Sequence, residues 1–510
     1  MYLIVNLGLK SIRIIVFNDA GKVMYSDSFP VHTSLQGERV EQDAVEWKIL
    51  LYKLLDGLAN KTDLMPQIEF ITSTTSSSCV YGCNREMKPI TKVLMVSDKR
   101  ASEEVASIKA KPIYIKKNIK EPISCSESSN VPKLLWIKNN AIEVFKDVKH
   151  WLGANEFLNY EFTGEVVTDS LNASKSFYSE EEGQYHNDIL DDMSIPSSVL
   201  PEVVEMGSAL VLSNHLMKSY PFSKKCKYII TTYDAICAVV GSLSGVSGDV
   251  SDVSGTVTSV RALAEKDMQI TNKSSVILRQ SIPLIGHTMI GCSNNLGGGI
   301  VEWYKQAFYS NTAAGYTEIE SDAQGSPPGA NGLIFLPFLL GERAPFTDKD
   351  IRGTFFGINR ESQRKDFAKA VFESTAFVTN DLLGLIREED FEIKALSVSG
   401  GLARIDLINQ IKADVTNLPV KVINNFESTS LGALILLRVS LGHYDTVYSA
   451  AADLVSISKT IFPNRNNVEI YSDAFGLYRE MAKLTSRVGS SHKEFTDSIK
   501  NYSSTTVSNL

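Results

Sequence analysis

Three glycine-containing turns are the stretches of this sequence best suited to bind an anion. Gly8, Gly255 and the pair Gly400–Gly401 each follow directly after an apolar segment that is typical of a β-strand. A glycine turn lets backbone N–H groups approach an anion closely, and the start of a following helix adds a positive dipole. Such turns also serve as ordinary connections, and spacing alone does not choose between a nucleotide site and a plain turn.

One aspartate, in the stretch TTYDAICAVVG, is placed for acid–base chemistry. Asp234 follows a predicted strand and begins an apolar predicted helix, a position that lies on the floor of the ligand crevice in α/β folds. It could take a proton from a hydroxyl that attacks a phosphoryl group. It could equally cap the helix, which is a common role for aspartate. Composition does not decide between these two roles.

Other kinds of site are not supported by the motifs. GLKS resembles the end of a Walker A loop, but Leu3 stands where its first glycine belongs. LGGGIVEW lacks the spacing of the dinucleotide-binding fingerprint. The histidines show no metal-like spacing, Cys79 and Cys83 have no second pair, and no G-x-S-x-G nucleophile elbow occurs. Hydrolase chemistry by serine or cysteine and a zinc site are therefore not predicted.

The elements that would position these residues alternate between strand-like and helix-like segments, which favours an α/β architecture. In 42–59, Asp43 can cap a helix whose apolar residues recur at helical spacing. Residues 68–78 read as a strand that enters a polar loop. Further segments read as helices or as strand–turn–helix units: 131–145, 153–165, 227–245, 367–386, 393–415 and 429–442.

The two halves of the chain begin with the same pattern. MYLIVNLGLKSIRIIVF and SDVSGTVTSVRALA are both apolar-flanked glycine turns, which suggests an ancient duplication. Glycines and serines mark a domain crossing near residue 248. We expect domains at 1–247 and 248–490, followed by a polar tail, 491–510, whose last ten residues fray.

The composition is that of a multidomain globular protein. The 510 residues include 51 basic and 59 acidic side chains, a net charge of −8, which argues against nucleic acid as a main partner. The chain shows neither a signal-peptide pattern nor an apolar run long enough to span a bilayer. Its six cysteines are scattered, several in apolar segments, which favours buried thiols in a reducing compartment. The sequence therefore predicts a cytoplasmic protein with no membrane partner.

Taken together, the motifs resemble the FGGY carbohydrate kinases, the family that contains xylulokinase, gluconokinase and glycerol kinase. The resemblance extends from residue 2 to about residue 445. GTFFGINRESQRKDFAKAVFE, at 353–373, is similar to the family's C-terminal signature, and KLLWIKNN, at 133–140, to most of its N-terminal signature. Supporting stretches lie at 40–43, 97–101, 163–174, 248–256, 335–345 and 399–414.

The resemblance implies an actin-like fold: two domains with ribonuclease-H-like cores that close over a cleft. It implies transfer of the γ-phosphoryl group of ATP, with Mg²⁺, to a hydroxyl of a sugar, polyol or sugar acid. Sugar would bind mainly to the first domain and ATP mainly to the second, and closure would exclude water so that ATP is not hydrolysed wastefully. Dimers are common in such families, so a homodimer is also implied.

The resemblance also implies roles for individual residues. Asp234 matches the catalytic aspartate, which makes general base the favoured role. Residues implied on the sugar side are Asp98, Arg100, Asn172, Tyr233, Ser77 and Ser78. Residues implied to bind ATP or its phosphates are Gly8, Lys10, Ser11, Gly255, Thr256, Gly298, Gly400, Gly401 and Arg404. Asn6 stands at the metal position of the first loop.

The first loop departs from the family pattern. The family reads D-x-G-T where this chain has Asn6-Leu7-Gly8-Leu9. Asn6 keeps an oxygen ligand but lacks the charge that would help position Mg²⁺, and Leu9 has no hydroxyl for phosphate. Lys10 adds a cation on the same turn. It either replaces part of the metal's charge, so that Lys10→Ala raises the Michaelis constant for ATP, or points to solvent as most lysines do.

The sugar and adenine sides depart as well. Ser76–Ser78 stand where xylulokinases usually carry Q-M-H, and Val96 where many members have tryptophan. This smaller, more polar wall suggests a substrate other than D-xylulose, or weak activity on it. Ile405 replaces a usually polar residue after the Gly400–Gly401 turn, so contacts with the adenine ring would differ from those of the family.

Two functions from different classes remain after this comparison. The first is a sugar kinase, favoured by Asp234, Asp98 and Thr256. The second is a catalytically weakened or inactive homologue that senses sugar or nucleotide, favoured by Asn6 and Leu9. A plain actin-like ATPase or chaperone fits poorly, because the sugar-side motifs would have no purpose.

Overall fold

The computed structural model describes residues 1–61, 63–265, 276–309, 315–424 and 427–507. The chain forms two compact units. Unit 1 comprises Met1–Gly241, Pro283–Ile285 and Glu427–Leu454, and unit 2 comprises Ser242–Ile282, Gly286–Phe426 and Val455–Leu510.

Unit 1 is built on a six-stranded sheet in the part of the chain that is described. Its strands are β1 (Tyr2–Leu7), β2 (Ser11–Phe17), β3 (Val23–Pro30), β4 (Phe70–Thr75), β5 (Ala209–Val211) and β6 (Lys227–Ile229). The spatial order is β5-β6-β4-β1-β2-β3. β1, β2 and β3 are antiparallel neighbours, whereas β4 is parallel to β1 and β6 is parallel to β4. The hairpin predicted at the start of the chain is confirmed.

Unit 2 is built on a seven-stranded sheet among its described residues. Its strands are β7 (Asp249–Ser254), β8 (Thr258–Glu265), β9 (Leu278–Ile282), β10 (His287–Ser293), β11 (Ala395–Ser399), β12 (Val420–Ile423) and β13 (Ile457–Ile461). The spatial order is β9-β10-β8-β7-β11-β12-β13. β7 and β8 form the second predicted hairpin, β8 and β10 are antiparallel, and β11 is parallel to β7 and to β12.

The two sheets share one arrangement of five strands. The orders β3-β2-β1-β4-β6 and β10-β8-β7-β11-β12 have the same connectivity and the same strand directions. This is the ribonuclease-H-like core, and its presence in both units confirms the predicted actin-like fold class. In each unit the glycine turn lies between the first two strands of the core.

The helices named below are α1 (Ala44–Lys61), α2 (Asn130–Asn140), α3 (Ala154–Thr163), α4 (Ser170–Ala173), α5 (Asp234–Val240), α6 (Gly298–Phe308), α7 (Arg364–Glu388), α8 (Asp406–Thr416), α9 (Ser428–Ser440) and α10 (Arg465–Val507). Further helices are Ser102–Lys109, Pro112–Lys120, Ile142–Asp147, Asn187–Asp192, Asn214–Ser219, Gly315–Gln324 and Val447–Leu454. Short strands are Ser34–Gln36, Arg39–Gln42, Tyr81–Cys83, Val93–Leu94, His150–Leu152, Val167–Thr168, Tyr178–Ser179, Gln184–Tyr185, Glu202–Val203, Ile334–Leu336 and Thr354–Phe356.

The predicted helices are confirmed where their apolar periodicity was regular. The Asp43 side chain accepts a hydrogen bond of 2.9 Å from the Val45 N–H at the start of α1. One face of α1, including Trp47, Leu51 and Leu54, is buried against the unit 1 sheet. Burial of that apolar stripe, rather than helix propensity alone, stabilises a surface helix of this kind.

A crossing of two helices explains why residues 427–454 belong to unit 1. α9 packs against α5 at two glycines, since a Cβ on Gly432 would lie 1.8 Å from the Cys237 carbonyl oxygen. A Cβ on Gly241 would likewise lie 1.8 Å from the Ser428 carbonyl oxygen. Only glycine permits backbones to approach so closely. The domain limits of 1–247 and 248–490 were inferred from the glycines and serines near residue 248, and they stay a prediction.

Three other expectations concern the tail, the thiols and the membrane. α10 continues to Val507, so the expectation that 501–507 frays is corrected, because each added residue extends an existing helix by one hydrogen bond. Residues 508–510 lie outside the described residues. All six cysteines are buried free thiols, as predicted. Among the described residues, no helix is both long enough and apolar enough to cross a membrane.

Candidate active site

The first glycine turn joins β1 to β2 in unit 1. The Gly8 N–H donates to the Ser11 carbonyl at 3.0 Å, and the Leu7 carbonyl accepts a 3.0 Å bond from the Ser76 N–H. A Cβ on Gly8 would have no neighbour nearer than 3.7 Å, so packing does not require glycine there. Asn6 is half-buried at the end of β1, and Lys10 is exposed on the turn. There is therefore open space beside Gly8, although the Gly8 N–H itself is bonded within the turn.

The loop after β4 is held by a buried lysine that the sequence analysis did not select. Ser78 has a φ of +62°, an uncommon conformation for a residue with a side chain. The Lys133 ammonium group of α2, fully buried, donates a 2.6 Å hydrogen bond to the Ser78 carbonyl. Burial lowers the pKa of Lys133 to about 8, against the opposing effect of the negative charge on Asp98. Lys133 thus fixes the shape of this loop, residues 76–78, which we call the serine loop.

Ser77, Ser78 and Asn172, all predicted on the sugar side, line one small cavity in unit 1. The cavity measures about 10 Å³, which is space for about one water molecule. Its other lining residues are Ser76, Cys79, Asn130, Gly153, Ala154, Asn155 and Glu156. The structure therefore brings these three predicted residues together at a polar pocket that is narrower than a sugar.

Asp234 begins α5, immediately after the loop that follows β6. Tyr233, not Asp234, occupies the capping position of the helix, and Asp234 is the first residue inside it. A carboxylate in the first turn is stabilised by the helix dipole. Asp234 is half-buried, whereas Tyr233 is buried. Asp234 thus lies one residue inside the capping position that the sequence suggested, and its role as general base stays a prediction.

A buried hydrogen-bond chain connects the Asp234 loop with Asn172. The Thr232 hydroxyl donates to Asp169 at 3.0 Å, and the Asn172 side-chain amide donates to the other oxygen of Asp169 at 2.7 Å. Asp169 also caps α4 by accepting from two of its N–H groups. Burial raises the pKa of Asp169, and the hydrogen bonds oppose that rise. This chain fixes the positions of the loops that carry Asn172 and Asp234.

Lys175 adds a cation to the same region. Its ammonium group lies 5.1 Å from the centre of the Tyr233 ring, and burial lowers its pKa. The sequence analysis missed Lys133, Asp169 and Lys175. The Asp169–Ser170–Leu171–Asn172 run carried a helix-capping signal, but a buried lysine looks like a surface lysine in a sequence.

Asp98 and Arg100, predicted on the sugar side, form an ion pair with each other. Both carboxylate oxygens of the fully buried Asp98 accept from the Arg100 guanidinium, at 2.8 and 2.7 Å. Asp98 also accepts from the Val40 N–H, and Arg100 donates to Glu41 at 2.6 Å. The Trp136 ring stacks 5.0 Å from the guanidinium. These two residues do not line the small cavity, and their polar groups are engaged within the protein.

In unit 2, the glycine turn between β7 and β8 packs on the start of α6. The Gly298 N–H donates to the Gly255 carbonyl at 2.7 Å, and the Gly297 N–H donates to the Thr256 carbonyl at 2.7 Å. A Cβ on Gly298 would lie 2.5 Å from the Gly255 oxygen, so the close contact needs glycine. The Gly298 N–H thus holds the turn. Gly255 and Thr256 themselves are exposed, and a Cβ on Gly255 would meet nothing within 4 Å.

The second glycine turn of unit 2 lies beside the first. Gly400 has a φ of +89°, and a Cβ there would lie 2.7 Å from the Ser254 carbonyl oxygen. Gly401 has open space where its Cβ would be. A cavity of about 190 Å³ adjoins this turn and is lined by Ser399, Gly400, Ala403, Arg404, Asp406, Val422, Ile423, Asn424, Ser458 and Lys459. The structure therefore brings Gly255, Gly298, Gly400 and Arg404 into one region of unit 2.

A buried ion pair stabilises the strand end that leads into the Gly255 turn. Lys412 of α8 contacts Asp252 of β7 and donates to the Ser254 hydroxyl at 2.9 Å. The Thr379 hydroxyl of α7 donates to Asp252 at 3.1 Å. Because Ser254 directly precedes Gly255, this network fixes the end of β7 and the turn that follows it.

In unit 1, the loop before the Asp234 helix is hydrogen-bonded through Asp169 to Asn172, which lines the polar pocket. Unit 2 carries two adjacent glycine turns, in which Gly255 and Gly401 face open space. Two family models together match most of the chain: the N-terminal domain of the FGGY family of carbohydrate kinases over residues 1–241, and its C-terminal domain over residues 277–441. The chain belongs to the FGGY family. As a member of this family it is a phosphotransferase with an alcohol group as acceptor.

Kinases from other organisms resemble the chain along nearly its whole length. A xylulose kinase from Staphylococcus epidermidis is 26% identical over 494 residues, covering 95% of this chain and 97% of the relative. A gluconokinase from Bacillus subtilis is 23% identical over 497 residues, covering 94% and 95%. The structure of a xylulose kinase from Lactobacillus acidophilus superposes with a TM-score of 0.85 at 23% identity, covering 96% of this chain and 100% of that one. These similarities identify the chain as a sugar or polyol kinase of the FGGY family.

The FGGY kinases use ATP, and Mg²⁺ is typical of such enzymes. Among the described residues, no group of three His, Cys, Asp or Glu side chains is arranged to hold a metal ion. Mg²⁺ usually keeps several waters and binds through one or two protein oxygens together with the substrate's phosphates. The amide oxygen of Asn6, near the end of β1, could supply one such oxygen.

Proposed function

We propose that this chain transfers the γ-phosphoryl group of Mg-ATP to a hydroxyl of a sugar, polyol or sugar acid, with Asp234 as the general base. The observation that carries this proposal is the position of Asp234 in the first turn of α5, connected through Thr232 and Asp169 to Asn172. These hydrogen bonds fix the loop that leads into Asp234, which favours a defined position for the base.

In the proposed reaction, a carboxylate oxygen of Asp234 takes the proton from the acceptor hydroxyl. The hydroxyl oxygen forms a bond to the γ-phosphorus as the bond between that phosphorus and the β,γ-bridging oxygen breaks. The products are the phosphorylated acceptor, ADP and one proton, which Asp234 later releases to water. Mg²⁺, when bound, neutralises charge on the phosphate oxygens.

ATP is proposed to bind to the glycine turns of unit 2. Gly255 and Gly401 are exposed, and neither needs to be glycine for packing. An open backbone with no packing demand is what a phosphate requires in order to approach N–H groups closely. The cavity of about 190 Å³ beside Gly400 and Arg404 is the proposed site for the adenosine part of the nucleotide.

The acceptor is proposed to bind beside the serine loop of unit 1. Ser77, Ser78 and Asn172 provide hydroxyl and amide groups that can hydrogen-bond sugar hydroxyls. The xylulose kinase and gluconokinase relatives support a ketose or an aldonate as the acceptor. Asp98 and Arg100 are proposed to act on the sugar side through the loop that they brace, because their own polar groups bind one another.

The alternative is a sugar- or nucleotide-binding sensor with weak or no turnover. The turn of unit 1 favours it, because Asn6 lacks the family's carboxylate and Leu9 exposes an isobutyl group where the family has a hydroxyl. The two functions make opposite predictions for the release of ADP.

A panel of acceptors separates the two functions. ADP formation from Mg-ATP is measured with ketoses, polyols and aldonates, and binding of each is measured by calorimetry. A kinase gives acceptor-stimulated ADP release with at least one compound. Measurable binding of an acceptor, without stimulated ADP release from any, would establish the sensor instead.

A further inference from the structure

A groove of about 840 Å³ lies in unit 2 between the C-terminal half of α7, the middle of α10 and residues 345–348. Sites for small molecules usually measure about 300 to 1,000 Å³, so the groove is large enough to hold one. It shares no lining residue with the cavity beside Gly400 and Arg404 that is proposed for adenosine. The groove is therefore a separate feature, which the proposed function does not use.

Basic side chains from both helices line the groove. Arg479, Lys483 and Arg487 follow one another at intervals of four residues along α10, so they share one face of that helix. Arg387 lines the groove from α7. Like charges four residues apart repel one another and destabilise a helix. An anion bound among these side chains would remove that repulsion.

The three carboxylates of the lining neutralise only part of this charge. Asp381 pairs with Arg479, whose Nε atom lies 3.4 Å from a carboxylate oxygen. Asp348 accepts hydrogen bonds from the Ser486 hydroxyl and from two backbone N–H groups. The third carboxylate, Glu388, is exposed at the end of α7. Two of the three are thus engaged by partners within the protein.

Three of the four cations remain able to bind a ligand. Arg387 donates a hydrogen bond of 3.2 Å to a neutral group, the side-chain oxygen of Asn380. Within the part of the chain that the structure describes, Lys483 and Arg487 have neither a hydrogen bond nor an ion pair to another side chain. Guanidinium and ammonium groups bind phosphate well, and a guanidinium can hold it through two parallel hydrogen bonds. These cations therefore favour a phosphate group in the groove.

The rest of the groove is apolar, and it is open beside the backbone of α7. Phe346 and Phe475 are half-buried, and Leu385 is buried. Gly384 lines the groove from the interior of α7, although glycine weakens a helix relative to alanine. A Cβ on Gly384 would meet nothing within 4 Å, so packing does not require glycine there. The absence of a side chain at this position keeps the groove open for the carbon portion of a ligand.

We propose that this groove binds a small organic phosphate, that is, a phosphate ester whose carbon portion is apolar or aromatic. The phosphate contacts Arg387, Lys483 and Arg487, and the carbon portion lies against Phe346 and Phe475. A lipid headgroup carries the same phosphate, but a free metabolite fits a concave groove better than a flat bilayer does. The proposal rests on unit 2 alone and stands apart from the catalytic proposal.

Calorimetry with the full chain and phenyl phosphate tests the proposal, in buffer with about 50 mM NaCl so that charges are weakly screened. We expect the wild type to bind with a dissociation constant of about 1 mM or less. Lys483→Ala/Arg487→Ala should raise this constant by about tenfold or more, because two phosphate contacts are lost. The matched control, Lys116→Ala/Lys120→Ala, removes two exposed lysines at the same spacing in unit 1 and should change it by less than about twofold.

Three results of this titration would overturn the proposal. The first is a wild type that does not bind phenyl phosphate at about 10 mM. The second is equal affinity in the Lys483→Ala/Arg487→Ala variant and its control, since the phosphate would then bind elsewhere. The third is equal binding of phenol, which has the same ring without the phosphate.

Gly384→Leu distinguishes a built groove from a general attraction of anions to basic side chains. This variant keeps every cation, but its side chain fills the space beside α7, so phenyl phosphate should bind about tenfold more weakly or worse. Its melting temperature should not fall, because leucine forms helices better than glycine does. A folded Gly384→Leu variant with wild-type affinity would contradict the proposed site.

Co-sedimentation with lipid vesicles distinguishes the two sources of the phosphate. With phosphatidylcholine vesicles that contain about one fifth phosphatidic acid, at about 150 mM NaCl, the wild type should stay in the supernatant. Binding to these vesicles that is lost in Lys483→Ala/Arg487→Ala would assign the groove to a lipid surface and overturn the proposal of a free metabolite.

Discussion

At the scale of single residues, the unit 1 turn raises the question of how a metal is held without an aspartate. Asn6 is the penultimate residue of β1 and pairs in register with Arg13 of β2, whose guanidinium contacts Glu427. The family's carboxylate would add a full negative charge at this point. The loss of that charge lowers affinity for a hard cation more than it alters the fold.

Asn6→Asp therefore restores activity if the charge is what this chain lacks. We expect turnover to rise by about tenfold, which corresponds to roughly 1.4 kcal/mol of transition-state stabilisation. The concentration of Mg²⁺ that gives half-maximal activity should fall, since a carboxylate binds Mg²⁺ better than an amide. The measurement is a Mg²⁺ titration of ADP formation. Asn6→Ala serves as the control and should be slower than wild type; an Asn6→Asp enzyme no faster than wild type contradicts the argument.

Lys133 makes stability depend on pH above neutrality. Burial lowers its pKa to about 8 in the folded chain, whereas the unfolded chain keeps the ordinary value of 10.5. Between these values the unfolded state binds more protons, so the free energy of unfolding rises with pH across this window. Below pH 8 the buried ammonium costs stability, by at most about 3 kcal/mol.

Lys133→Met removes that dependence. Urea unfolding between pH 7 and pH 10 should show a flatter dependence of the free energy of unfolding on pH in the variant than in the wild type. The Michaelis constant for the acceptor should rise as well, because Ser78 loses the hydrogen bond that holds its carbonyl. Identical pH dependence in the two proteins would remove Lys133 from this role.

At the scale of elements, the glycines of the unit 2 turns are of two kinds: some allow close backbone contact, and others leave open space beside the turn. Gly400 and Gly298 are needed for close backbone contact, whereas Gly255 and Gly401 face open space. The same residue type thus serves two purposes within one region of unit 2. Substitution by alanine distinguishes the purposes.

Gly255→Ala and Gly401→Ala should fold normally, with free energies of unfolding within about 0.5 kcal/mol of wild type. Each should raise the Michaelis constant for ATP by about tenfold, because a methyl group would occupy space proposed for phosphate. Gly400→Ala should instead destabilise the fold by about 2 kcal/mol, because its φ is positive and its Cβ would meet Ser254. Thermal unfolding and ATP titration together check the pattern; Gly255→Ala and Gly401→Ala variants with unchanged ATP affinity would remove the phosphate from these turns.

The crossing of α5 and α9 gives a second prediction for elements. Gly432→Ala should cost more than about 3 kcal/mol of unfolding free energy, because the added methyl would lie 1.8 Å from a carbonyl oxygen. Gly384→Ala, in α7, has nothing within 4 Å of the new Cβ and should be neutral or stabilise by up to about 1 kcal/mol. Equal stabilities of the two variants, measured in urea, would mean that the crossing is looser than the structure has it.

At the scale of the whole molecule, the sequence predicts local elements well, because they depend on neighbouring residues. It predicts contacts between distant residues less well. The two hairpins and α1 follow from local apolar patterns and a capping aspartate. The assignment of 427–454 to unit 1 depends on two glycines nearly 200 residues apart, Gly241 and Gly432, which no local pattern connects.

The candidate site shows the same division. Asp234 and Asn172 were predicted from motifs, but the Asp169 carboxylate that connects their loops was not singled out. Lys133 was missed as a positioning residue because its role depends on burial, which residue type alone predicts poorly for lysine. Sequence therefore identified the groups proposed to react, and the structure was needed to find the groups that hold them.

The turnover of Asp234→Asn with the best acceptor of the panel tests whether Asp234 accepts the proton of the attacking hydroxyl. We expect the rate of acceptor-dependent ADP formation to fall by about 10³-fold or more, while calorimetry shows that the acceptor and ATP still bind. Near-wild-type turnover in Asp234→Asn, with both substrates bound, would contradict it.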